Sequence, residues 1–168
     1  MTHDDVADLT ALKGRPVLIA GSSRVTFWPW LRAKYGYTDD QIRPYTFNLQ
    51  PFFVDKTIAQ QGYLSSEPYQ ALQQNEKVKF FLFADGGYPP YGSTIVTTEK
   101  MIAERSNVVA RFVKASLEGW RDYMKTPAPG NALIKADNPK MTDGQIAYAL
   151  EKLTETKAVD GGDAAKLG

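Results

Sequence analysis

The feature that most constrains this chain is a short apolar run, Val17-Leu18-Ile19-Ala20, with Gly14 just before it and Gly21 closing it. Such a run between glycines predicts a strand over 17–20, and a strand apolar on both faces belongs in a parallel sheet covered on both sides. Similar segments return at 42–48 (IRPYTFN), 59–66 (AQQGYLSS) and 78–85 (VKFFLFAD). Helix patterns separate them: one capped at Thr26, with Pro29 in its first turn and its end at Gly36; one over 51–59; and one over 67–75. Four strands alternating with helices predict an α/β fold with a doubly wound parallel sheet.

The pattern breaks at 85–93 (DGGYPPYGS), where three Gly and two Pro leave no room for a regular element. Beyond it come one expected strand over 93–98 and then helices. Residues 107–124 place Val109, Phe112, Val113, Ser116, Trp120 and Met124 on one face, and Thr142 with Gln145 forms a capping box that opens a further helix. These amphipathic helices have no sheet of their own to cover, so their apolar faces call for a partner.

Charge and chemistry narrow the function. Twenty basic residues against nineteen acidic ones leave a net charge of +1, so a nucleic-acid footprint is missing. With no Cys and one His, placed in an N-terminus expected to be frayed, the chain offers no evident nucleophile or metal cluster. The expectation is therefore no enzyme, no cofactor and no metal. No run approaches the eighteen apolar residues of a membrane span, and the start lacks the basic and apolar segments of a signal peptide.

Two loops carry the functional reading. Gly21-Ser22-Ser23 follows a strand and precedes a helix, where free N–H groups and hydroxyls suit a ligand; spacing alone favours an ordinary Gly/Ser turn. Tyr63 to Glu67 repeats the arrangement after another strand, and loops at the carboxyl ends of parallel strands share one sheet edge. Glu67 would set a carboxylate there, although a helix N-terminal acid needs no ligand to explain it. Trp28 and Trp30, two apart, point different ways on a helix; the expectation is Trp28 for the cleft and Trp30 for the core.

The strings LKGRPVLIAGSS, TFWPWLRAKYGYTDDQIRPYTFN, QQGYLSSEPY, SNVVARFVKASLEGWRDYM and NPKMTDGQIAYALEKL, in that order, resemble ABC-transporter solute-binding proteins of the nitrate/sulfonate/taurine type. That group includes proteins resembling thiamine-pyrimidine synthase. The resemblance implies a type II periplasmic-binding-protein-like fold: one complete doubly wound lobe over 8–85, a hinge over 86–92, and helices over 93–168 that belong to the other lobe. It implies a chain truncated at both ends, an extracytoplasmic location and a permease as partner; the orphan helices of 93–155 are then expected to self-associate or to fold back on the lobe. The ligand implied is a small planar heterocycle such as an aminopyrimidine, with sulfonate- or nitrate-type anions as the alternative. By position the resemblance carries ligand contacts onto Ser22, Ser23, Thr26 and Glu67. Trp28, Tyr63, Tyr88 and Tyr91 complete the expected site as stacking rings. The synthase's Cys-rich motif and active-site His residues have no counterpart here, which disfavours the enzyme.

Overall fold

A computed structural model describes residues 1–88 and 94–163. The chain divides into two compact units, Met1–Pro90 and Tyr91–Gly168. In the first, β1 (Thr2–His3), β2 (Val17–Ile19), β3 (Ile42–Pro44), β4 (Ala59–Gln60) and β5 (Val78–Lys79) alternate with α1 (Trp28–Tyr35), α2 (Gln50–Val54) and α3 (Glu67–Gln73).

β2 is the centre of a parallel sheet in the order β3-β2-β4, with Val17 opposite both Ile42 and Ala59. Alternation along β2 makes two cores. Val17 and Ile19 face one, with Trp28, Leu31 and Tyr37; Leu18 faces the other, with Tyr45, Leu49, Phe52 and Ala71. The path from β2 to β3 runs one way across the sheet and that from β3 to β4 runs back. Right-handed crossovers then require helices on opposite faces, and α1 and α2 occupy them. Gly36 ends α1 in the left-handed region (φ 68°), its N–H donating to Arg32 O at 3.0 Å.

Several expectations are corrected. The segment 78–85 is not a fourth parallel strand: only Val78–Lys79 is laddered, antiparallel to β1. Its aromatics still alternate, Phe80 toward one core and Phe81 and Phe83 toward the other, but β1 offers two residues to pair with. The segment 42–48 stops at Pro44 because the chain turns at Phe47 (φ 59°), and 59–66 stops at Gln60 because Gly62 begins a turn. Thr26 is not the helix cap: a 3-10 turn over Gly21–Arg24 intervenes, and α1 begins behind Phe27 with Pro29 in its first turn.

The N-terminus is not frayed, and the stretch before Asp8, expected outside the lobe, belongs to this unit. Met1, Thr2, His3 and Val6 are buried, and Met1 exchanges main-chain hydrogen bonds with Gln60 at 2.8 and 2.9 Å. That pairing sets β1 beside β4.

The second unit contains α4 (Glu99–Glu104), α5 (Ser106–Lys125), α6 (Ala128–Asp137) and α7 (Asp143–Glu155). No strand forms over 94–98; Thr98 instead caps α4, accepting the Met101 N–H at 3.1 Å. Thr142 caps α7 in the same way through the Gln145 N–H. The apolar stripe of α5 is real, but Phe112 and Trp120 on it are exposed, and no α5 residue is fully buried. Among the described residues no helix is long and apolar enough to cross a membrane.

Candidate functional site

The loop after β2 leads to α1 on one face and the loop after β4 leads to α3 on the other, so the carboxyl edge between β2 and β4 is a topological switch point. Open α/β sheets hold small ligands at such switch points. Gln61 ties the loops together. Its Oε1 accepts from Ala20 N–H at 2.6 Å and from the Ser23 hydroxyl at 2.7 Å, while its own N–H donates to Leu18 O at 2.9 Å. Ser23 is buried and its proton is committed to this strut; Ser22, next to it, keeps its hydroxyl exposed.

Glu67 is 6 % exposed, at the start of α3. Oε1 accepts from the Tyr45 hydroxyl at 3.0 Å and Oε2 from the Tyr63 N–H at 2.8 Å. Its carboxylate therefore joins the end of β3 to the turn after β4. Burial, then the Glu67 charge, pushes the Tyr45 phenol well above its ordinary value near 10. Gly62 is required beneath this group, because a Cβ there would lie 2.8 Å from the Glu67 Cδ.

Two exposed rings are tied to the buried carboxylate, Tyr63 through its own N–H and Phe47 through the ring of Tyr45. Tyr63 is 69 % exposed, and Phe47, packed on Tyr45 with ring centroids 5.1 Å apart, is 78 % exposed. The sequence reading missed Phe47 and Gln61. Asn48, whose side chain accepts the Gln50 N–H at 3.0 Å, is the turn signal that could have ended the strand early and left Phe47 in a loop.

Of the expected site residues, Ser22, Ser23, Tyr63 and Glu67 stand on the two loops at this edge. Thr26 lies at the end of the first loop, its hydroxyl 3.4 Å from Ser22 O. The expectation of Trp28 at the cleft is overturned, since Trp28 is 1 % exposed in the core, its indole N–H donating to Asp39 at 2.8 Å, whereas Trp30 packs against that same core as expected. Trp30, roughly 200° further round the helix, is half-buried and packs on Phe83 at 5.5 Å and Tyr88 at 5.1 Å. Tyr88 thus belongs to an aromatic group on α1. Tyr91 lies outside the described residues.

A concavity opens at the opposite edge, lined by His3, Asp5, Arg15, Lys56 and Glu76 among others. Four of its charges pair with one another, Arg15 with Asp5 at 3.0 Å and Lys56 with Glu76 at 2.5 Å. His3 stacks on Phe52 at 4.0 Å and its Nε2 lies 2.9 Å from Phe52 O. Among the described residues no group of three His, Cys, Asp or Glu side chains is placed to hold a metal ion.

A switch point whose loops carry a buried carboxylate, hydroxyls and exposed aromatic rings has the makings of a small-molecule site. Residues 1–129 match the family described as NMT1/THI5 like, and the chain belongs to that family. It is also similar to the riboflavin-binding protein RibY of Chloroflexus aurantiacus, 26 % identical over 156 residues. That match takes in 90 % of this chain and 44 % of RibY, so the chain spans less than half the length of this relative. No solved structure matches it.

Proposed function

We propose that this chain is part of a non-catalytic receptor that holds a small planar nitrogen heterocycle at the carboxyl edge of β2 and β4. The observation that carries the reading is the Glu67 carboxylate, buried under the two loops that Gln61 joins and tied to the exposed rings of Tyr63 and Phe47. A flat ring gains from aromatic faces and from a few fixed polar groups, which is the usual composition of a small-molecule site. An aminopyrimidine, a thiamine-precursor-like ring or the flavin that names RibY fits this description. The whole receptor works outside the cytoplasm and delivers its ligand to an ABC permease, as the family resemblance implies.

Anions of the sulfonate or nitrate type are the second reading, favoured by the exposed Ser22 and Arg24. Glu67 opposes it, since a buried negative charge there repels an anion. Catalysis of the pyrimidine-forming kind is disfavoured because the single His is packed at the other edge and there is no Cys.

A thermal-shift titration with riboflavin, 4-amino-5-hydroxymethyl-2-methylpyrimidine, taurine and nitrate tests the reading. Ligand at a hundred times its Kd stabilises by about 2.7 kcal/mol, a shift of several degrees. A heterocycle is expected to give it. Stabilisation by taurine or nitrate alone, or by no compound, overturns the proposal.

A further inference from the structure

Resting on the proposed function, we propose that Phe47 is a ligand-stacking residue, held in place by Tyr45 and Glu67, and that the site selects for flat aromatic rings through it. Three observations meet at this residue. Its backbone is left-handed (φ 59°), a conformation costly for a bulky side chain and one that Gly, Asn or Asp would adopt more readily. Its ring is 78 % exposed, so burial does not repay that cost. And it is not loose: it leans on Tyr45, whose hydroxyl is fixed to the buried Glu67 carboxylate at 3.0 Å.

The same carboxylate fixes the other exposed ring of the edge. Glu67 Oε2 accepts the Tyr63 N–H, so one buried group sets the ring under Phe47 and the backbone that carries Tyr63. In this arrangement both carboxylate oxygens already have protein partners. The charge acts chiefly as a positioning group, and the faces offered to a ligand are the two rings. Strain maintained at an exposed aromatic is the kind of local cost that a binding site sustains and a packing role does not. A polar anion gains nothing from such faces; a conjugated ring does.

The test compares wild type with Phe47→Asn and Phe47→Trp, titrating riboflavin by quenching of its fluorescence and measuring the melting temperature of each variant without ligand. Asn suits the left-handed backbone and removes the ring. Phe47→Asn is therefore expected to melt no lower than wild type yet to bind riboflavin about tenfold or more weakly, the scale of one lost aromatic stacking partner. Phe47→Trp is expected to keep the affinity within a few-fold. Riboflavin affinity unchanged in Phe47→Asn overturns the stacking role while leaving the proposed function standing. A lower melting temperature for Phe47→Asn makes the residue a packing element and also overturns it. If wild type binds neither riboflavin nor the monocyclic aminopyrimidine, the proposed function falls, and this inference with it.

Discussion

Replacing Glu67 tests the physical centre of the site. In Glu67→Ala the Tyr45 hydroxyl and the Tyr63 N–H both lose their acceptor, and the buried part of the side chain leaves a gap against Gly62. An orphaned buried donor costs about 1–3 kcal/mol. The Tyr45 hydroxyl is the deeper of the two, while the Tyr63 N–H is half-buried and regains water at lower cost. Together with the lost packing, about 3–4 kcal/mol of destabilisation follows, a large share of the roughly 5–15 kcal/mol that holds a domain folded. Glu67→Gln differs in kind. Its amide oxygen can accept the Tyr63 N–H while its amide nitrogen donates to the Tyr45 oxygen, which leaves the Tyr45 proton without its acceptor, so the loss is about 1–2 kcal/mol, smaller than in Glu67→Ala because the packing is kept.

Urea unfolding followed by tryptophan fluorescence in a Trp120→Phe background reports on this unit, because the remaining signal comes from Trp28 and Trp30. Tyrosinate absorbance against pH gives the second readout: burial, the larger cause, still holds the Tyr45 phenol above its ordinary value, but without the Glu67 charge it titrates lower in Glu67→Gln than in wild type. Glu67→Ala within about 0.5 kcal/mol of wild type, the scale of an inconsequential surface change, would refute the reasoning. So would a Tyr45 titration that does not move.

Other consequences follow from neighbouring residues. Gln60 is 2 % exposed and both its amide atoms lack a partner among the described residues; Gln60→Leu is therefore expected to raise stability by about 1–2 kcal/mol, read as a higher urea midpoint. Gly62→Ala drives a Cβ against Glu67 and should lower both the melting temperature and ligand affinity, whereas Gly21→Ala, with nothing within 4 Å of the added Cβ, should leave stability nearly unchanged. Tyr45 is held protonated in the fold, so its contribution is fully present below the unfolded value near 10 and is lost as the pH rises above it. Unfolding measured upward from pH 10 should show that loss; Tyr45→Phe should remove its share, while Tyr37, raised by burial in the same way, keeps the rest.

The parts legible from sequence were those fixed by local pattern. Val17 to Ile19 announced a strand buried on both faces because its residues are apolar at every position, and Gly36 and Pro29 framed α1 by backbone chemistry alone. The pairing of the last strand was not legible. Phe80 and Phe81 promise burial on two faces, but which strand lies beside them depends on Met1 to His3, a polar-looking stretch whose burial comes from pairing with Gln60 and stacking on Phe52. The assignment of Trp28 failed for a related reason. Two residues on one short helix must face apart, yet the sheet, not the spacing, decides which faces inward, and Asp39 supplies the indole partner from a distant turn. The site itself was half legible: Ser22, Ser23, Tyr63 and Glu67 could be placed at one edge from strand direction. Gln61 reads as one more polar residue until its contacts to Ala20 and Ser23 are seen, and Phe47 reads as strand until its backbone angle is known.

The loops after β2 and β4, together with Phe47, are proposed to form one ligand site. Amide chemical shifts of the isotope-labelled chain, recorded during a titration with riboflavin and then with the aminopyrimidine, address it residue by residue. Saturable shifts are expected at Gly21 to Arg24, at Phe47 and Asn48, and at Gly62 to Glu67, with the His3, Arg15 and Lys56 edge unmoved. Shifts centred on that opposite edge, or none at ligand concentrations in the millimolar range, would contradict it.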